Sequence, residues 1–295
     1  MSLDEALVQK KESIREFEEI TIQILNYLPN VLNKFEIKND YKLFSSNIAG
    51  TIKYIRPINY KLFINDPIEF SEKFIQFKNI LSRIYDRNVR FSADDKNIIN
   101  STIYTIQQSI GAGLDLLVNP NSARKHVGNR FEELIKSIFS EIGIKNKKLV
   151  LKIPYHTEEG EKVYKCENDI ILSPFENIKS TPTSIHEREI VVSVKTTSKD
   201  RMGKMFIDKM LLEKFVGHSQ KVIGIFLNDV QRKENKKISF TLVSGLFMVY
   251  TNFLTELEGV YYIDPPPTSL KKPYSNYMKP FSDLITKDVF ELLSS

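Results

Sequence analysis

Near residue 120 the spacing of apolar positions along this chain changes. Before it the spacing is helical. In 12–32, Ile14, Phe17, Ile20, Ile24 and Leu25 recur close to the 3.6-residue period of an amphipathic helix. In 67–85, Phe70, Phe74, Ile75, Phe77, Ile80, Leu81 and Ile84 do the same behind Pro67, a residue suited to a first helical turn. A third helix is signalled by Ser92, a candidate N-cap followed by acidic residues. Residues 1–117 are therefore expected to form an all-helical N-terminal domain, without internal repeats. NPNS at 119–122 reads as a turn and a boundary, and GNRFEELIKSIFSEIG at 128–143 as an amphipathic helix ending at Gly143. Strand-like runs follow at 148–155, 162–173, 189–197, 221–229 and 237–245, with helix-like segments at 202–215, 245–257 and 282–293. This succession predicts an α/β domain over 118–295, a mixed β-sheet flanked by helices.

Composition narrows the setting. At 295 residues and 41% hydrophobic content the chain can bury a substantial core. Its single cysteine, Cys166, excludes an intrachain disulfide and a Cys-rich zinc site, and suits a reducing, cytoplasmic environment. The N-terminus is too charged for a signal peptide, and no apolar run approaches the roughly 18–20 residues of a membrane span, so no membrane partner is expected. The net charge of +5, from 42 basic against 37 acidic residues, allows a polyanionic partner without requiring one. Basic clusters at 144–148 and 231–237 fit phosphate contacts and solvated turns equally. The four histidines lack metal-ligand spacing, and Gly111 and Gly113 do not form a phosphate loop because no strand precedes them.

The charges crowd in SVKTTSKDRMGKMFID, residues 193–208. Along a strand alternate residues share a face, so Ser193 and Lys195 point one way and Val194 the other. Asp169 lies 26 residues before Lys195, before the apolar run IIL. If their strands pair, carboxylate and ammonium meet at one end of the sheet. There the carboxylate could bind a magnesium ion, Mg2+, and the ammonium could orient water and stabilise phosphate charge. The plainer reading of the same two residues is a solvated hairpin aspartate and an edge-strand lysine.

The longer pattern resembles the PD-(D/E)xK nuclease superfamily, and within it the type II restriction endonucleases of the EcoRII, PspGI, SsoII and NgoMIV branch, which cut CCGG-type sites. That resemblance implies Asp169 and Lys195 as catalytic residues, with Ser193 where the usual acid has been lost. It implies Asp208, 13 residues beyond the lysine, as the acid relocated to a helix. KTTSKDR at 195–201 is similar to the branch's recognition string, which makes Lys199, Asp200 and Arg201 the DNA-binding element. Arg suits guanine O6 and N7, and Asp suits cytosine N4. Glu132, in a G-x-x-F-E helix start, either joins the metal site or is one surface glutamate beside Glu133. The implied metal set is thus Asp169, Asp208 and Glu132 with Mg2+. The implied function is hydrolysis of double-stranded DNA at a short palindrome by a homodimer or homotetramer. The alternatives are another nuclease of the superfamily and an inactive DNA-binding relative. Two departures stand out: Asn168 replaces the motif's proline, and the helix acid is Asp rather than Glu. Glu213 is a second candidate for that acid, about 140° from Asp208 around the helix.

Overall fold

The computed structural model describes all residues except 49, 88–89, 199–200, 233–236, 243 and 295. Its helices begin where their caps dictate. Helix α1 spans Leu3–Val8, and α2 (Ile14–Val31) opens on Ser13, whose hydroxyl accepts from the Glu16 amide while Glu16 accepts from the Ser13 amide. Asp66 caps α3 (Pro67–Tyr85) with Pro67 in its first turn, and Ser92 and Asp95 form the same reciprocal cap on α4 (Ala93–Leu117). Helix α5 (Pro120–Glu141) starts at Pro120 rather than Gly128. The NPNS cluster is its cap, with Asn119 accepting from Ser122 N at 3.0 Å, so the residues read as a turn nucleate a helix.

Helix α4 runs through the middle of this layer, buried nearly without interruption from Ile98 to Leu114. Its glycines serve packing. A Cβ on Gly111 would lie 2.4 Å from the Arg56 guanidinium, and one on Gly113 would lie 2.6 Å from Ile24 Cδ1. Helix does not extend through the whole of 1–117. Strands β1 (Lys34–Lys38), β2 (Tyr41–Ile48), β3 (Thr51–Tyr54) and β4 (Ile58–Asn59) form a small antiparallel sheet between α2 and α3. Its signal was local: Asn39, at φ 54°, and Asp40 make the two-residue turn that pairs Lys38 with Tyr41.

The main sheet has six strands in the order β12-β11-β8-β7-β6-β5. Strands β5 (Lys145–Thr157), β6 (Gly160–Ser173) and β7 (Ile190–Thr197) pair antiparallel. Strands β8 (Lys221–Asn228), β11 (Gly259–Tyr262) and β12 (Met278–Pro280) continue from β7 in parallel. Helix α6 (Met202–Val216) connects β7 to β8. A short hairpin, β9 (Val230–Arg232) and β10 (Ile238–Phe240), then α7 (Ser244–Phe253), lie between β8 and β11, and helical turns over 281–294 close the chain. The run 237–245 is thus mostly not strand. Strands β11 and β12, four and three residues long, are too short to show a period in sequence.

Alternation along the central strands assigns the two faces. Ile190, Val192, Val194, Ile223 and Ile225 join the core that also holds Ile24, Phe70, Ile110 and Phe131 from the helical layer. Val191, Val222 and Phe226 face the other way, onto Met205 and Phe206 of α6 and Phe247 of α7. A mixed sheet buried between two helical layers results, as the apolar runs of its parallel strands require. Among the described residues no helix is long and apolar enough to cross a membrane.

Candidate active site

Strands β6 and β7 pair from Leu172–Ile190 to Ile170–Val192. On the opposite edge of β6 the register jumps. Lys147 faces Ile171 but Leu149 faces Asn168, so Lys148 opposes both Asp169 and Ile170. The extra residue is a β-bulge, a device that breaks alternation and re-aims a side chain. Asp169 sits at this bulge, 8% exposed. Its Oδ2 accepts from the Val194 amide at 2.8 Å and from Lys195 Nζ at 2.5 Å. A side-chain acceptor thereby satisfies a backbone donor, and the catalytic pair expected from sequence is in contact.

Helix α6 closes one side of the cavity. The amides of Arg201 and Met202 both donate to Ser198 O at 3.0 Å, which starts the helix directly beyond β7. Gly224, opposite Ser193 in the β7–β8 register, lets the helix come close: a Cβ there would lie 2.5 Å from Met205 Cε. As a result Asp169, Ser193, Lys195, Arg201, Lys204 and Asp208 border one cavity. Asp208 accepts twice from Lys204 Nζ, at 2.7 and 2.5 Å, an i,i+4 pair on the helix. Glu213 is placed otherwise. It accepts from the Gln220 amide at 3.1 Å near the end of α6 and does not border the cavity.

Glu132 approaches Asp169 from α5, which packs against β5, β6 and β7. The adjacent glutamates divide their work. Glu133 ties the N-terminal segment, accepting from the Lys11 amide at 2.8 Å and from Arg130 at 2.7 Å, while Glu132 lies 3.7 Å from Lys148 Nζ. Burial raises the Glu132 pKa above the ordinary carboxylate value, and the charge of Asp169 raises it further, against Lys195 and Lys148. Burial alone would lower the Lys148 pKa, but Glu132, Glu167 and Asp169 outweigh it and raise it. Lys148, the last lysine of the 144–148 cluster, stands at the bulge beside Glu132 and Glu167, a placement that the cluster's spacing along the chain does not reveal.

Two carboxylates desolvated near each other form a hard-oxygen donor set that suits Mg2+, and a divalent cation would relieve their repulsion. Asp208 offers a third carboxylate, bordering the cavity with Asp169 and held by Lys204, whereas Glu132 does not border that cavity. Among the described residues no three acidic, His or Cys side chains already form a compact metal cage.

One further acid escaped the sequence reading. Asp229, directly after β8 and fully buried, accepts from the Ser198 hydroxyl, the Thr241 hydroxyl and the Leu242 amide. Burial raises its pKa, opposed by those same donors. It therefore pins Ser198, the residue before the Lys199–Asp200–Arg201 triplet, to the segment that follows the β9–β10 hairpin. Lys199 and Asp200 lie outside the described residues; Arg201 is exposed at the cavity's edge.

No family model and no curated protein matches the sequence. Among solved structures, the type IIP restriction endonuclease Kpn2I is similar, with a TM-score of 0.69 and 19% identity over 95% of this chain and 91% of that one. The restriction endonuclease PspGI, in its complex with substrate DNA, gives a TM-score of 0.43 and 15% identity over 75% of this chain and 93% of that one. With its helical layer, six-stranded mixed sheet and crossing α6 aligned to Kpn2I over nearly their whole lengths, the chain has the fold of a type II restriction endonuclease.

Proposed function

We propose that this protein is a type II restriction endonuclease, hydrolysing double-stranded DNA with Mg2+ at a short palindromic site with a CCGG or CC/GG core. The observation that carries the reading is the contact of Asp169 and Lys195 at the bulge, on one cavity with Ser193, Asp208 and Arg201. The fold shared with Kpn2I, a type IIP restriction endonuclease, supports it. Residues 118–295 would be the catalytic domain and 1–117 would serve dimerisation or DNA contacts, the active form being a homodimer or homotetramer.

In hydrolysis a water oxygen bonds to phosphorus as the P–O3′ bond breaks, leaving a 5′-phosphate and a 3′-hydroxyl. Asp169, with Glu132 and Asp208, would hold the metal, which when bound neutralises phosphate charge and acidifies a water. Lys195, freed from Asp169, donates to the attacking water or to a phosphate oxygen and so stabilises the charge that develops there. Ser193 is short and uncharged, which leaves room beside Lys195 where a second strand acid would repel the phosphate. Arg201 is assigned to guanine, Asp200 to cytosine and Lys199 to the adjoining edge or phosphate.

Plasmid DNA incubated with protein and Mg2+ tests this. Discrete fragments are expected, and Lys195→Ala and Asp169→Ala should each lower the rate at least about a hundredfold. A smear would indicate a nuclease without strict sequence preference. Intact but shifted DNA would indicate a binding protein, and unimpaired variants would show that the site lies elsewhere.

A further inference from the structure

Lys147 and Lys148 are adjacent in β5, yet they serve different partners. Lys147 Nζ donates to Ser180 O at 3.0 Å. Lys148 Nζ turns to the acids of the site, 3.7 Å from Glu132 Oε2 and 3.5 Å from Glu167 Oε2. The extra residue between Lys147 and Leu149 breaks the regular alternation of the ladder, and Lys148 is the residue it re-aims.

The other ammonium of the site is already committed, with Lys195 Nζ 2.5 Å from Asp169 Oδ2. Among the described residues Lys148 is the one ion-pair partner of Glu132. Glu167 borders the cavity with Asp169, whereas Glu132 comes from α5 and does not. Lys148 thus joins the acid of the helix to the acids of β6. An ammonium there balances the same carboxylates that a divalent cation would, among the oxygen neighbours that Mg2+ takes. It is also loosely held. A tight charge-assisted hydrogen bond measures about 2.7–2.9 Å, shorter than either contact of Lys148. The side chain is 46% exposed on a flexible four-carbon stem, so the ammonium can withdraw into solvent.

We propose that Lys148 is a stand-in counter-ion, which balances Glu132 and its neighbours until a divalent cation enters between Glu132 and Asp169 and displaces it. It acts through Glu132 and is a positioning residue. The inference rests on the proposed function in taking Glu132 and Asp169 as metal ligands. It adds that the metal binds against a built-in cation, so Lys148 sets how tightly the metal is held.

Calorimetric titration with Mg2+ alone, without DNA, tests this. Lys148→Met keeps the apolar stem and removes the charge. With one repelling charge gone, it should bind Mg2+ at least about tenfold more tightly than wild type. A merely structural role predicts the opposite sign, because a disturbed donor set holds metal more weakly. Without metal the variant should melt below wild type, and saturating Mg2+ should raise its melting temperature by about 2–3 °C more. Lys148→Arg, which keeps the charge, should stay within about threefold of wild-type affinity. Lys162→Met removes the same charge from the far end of the hairpin, where Lys162 pairs with Glu159 at 2.5 Å, and should leave Mg2+ affinity unchanged. Lys148→Met binding no tighter than wild type, an equal gain in Lys162→Met, or no Mg2+ binding in any of these proteins would overturn the proposal. The two readings fail separately, because metal binding is read without cleavage. Tighter binding in a protein that leaves plasmid intact defeats the cleavage reading alone. Discrete fragments from wild type, with no gain in Lys148→Met, defeat this proposal alone.

Discussion

Replacing Asp229 by alanine should show how the loop carrying the recognition triplet is held. The carboxylate collects three donors, the Ser198 and Thr241 hydroxyls and the Leu242 amide, in a fully buried position. Hydrogen bonds to a charged acceptor contribute about 1.5–3 kcal/mol each, but burying the charge offsets much of that. The raised pKa of Asp229 records this opposition. In the alanine variant the hydroxyls, 3.5 Å apart, can turn to each other, while the Leu242 amide loses its partner at about 1–3 kcal/mol. Adding the lost packing gives about 3 kcal/mol, or a melting temperature lower by about 5 °C for a chain of this length. A raised carboxylate pKa means that folding favours the neutral form, so asparagine, a neutral isostere, should recover all but about 1 kcal/mol. Urea denaturation measures the loss, and plasmid digestion reads the consequence for Arg201: the alanine variant should cut slowly and with blurred site preference, the asparagine variant near normally. An alanine variant within about 0.5 kcal/mol of wild type would refute the idea that this carboxylate anchors the loop.

Two other acids give sharper pH and metal signatures. Asp264 accepts from Tyr41 Oη and Asn59 Nδ2, each at 2.9 Å, and so ties the small sheet to the segment after β11; burial raises its pKa from 3.8 to about 6. The folded state then holds a proton that the unfolded state releases, so this contribution is full below pH 3.8 and is lost as the pH rises through about 6. Asp264→Asn should flatten that part of the melting-temperature profile, and an unchanged slope would dismiss it as the source. Glu132→Gln should raise stability without metal, because it removes a desolvated charge beside Asp169, yet weaken Mg2+ binding measured by calorimetry. Unaltered metal affinity would exclude Glu132 from the donor set.

The amino-acid order alone determined a good deal. The caps at Ser13, Asp66 and Ser92, the periods of α2 and α3, and the long strands β6, β7 and β8 are written locally, because each rests on residues three or four apart or on a short continuous run of β-forming apolar residues. The small sheet after α2 was equally local in its Asn39–Asp40 turn but lay in a region dominated by helical periods. The strand pattern named Asp169 and Lys195 as a candidate pair, and the resemblance to a restriction-endonuclease motif supplied Asp208 as the relocated acid. What only tertiary structure decided is which of several acids meet. Helical phase could not separate Asp208 from Glu213, nor proximity in sequence Glu132 from Glu133. The crossing of α6 over Gly224 set Asp208 on the cavity and left Glu213 a structural bond, and the packing of α5 on the sheet set Glu132 near Asp169 and Lys148 while Glu133 tied the N-terminal segment. The bulge that seats Asp169 beside Lys195 and Lys148 depends on the register between two strands, and the Asp229 anchor on groups from three separate segments. Such meetings are set by the free energy of closing the whole core, a quantity no short window of sequence contains.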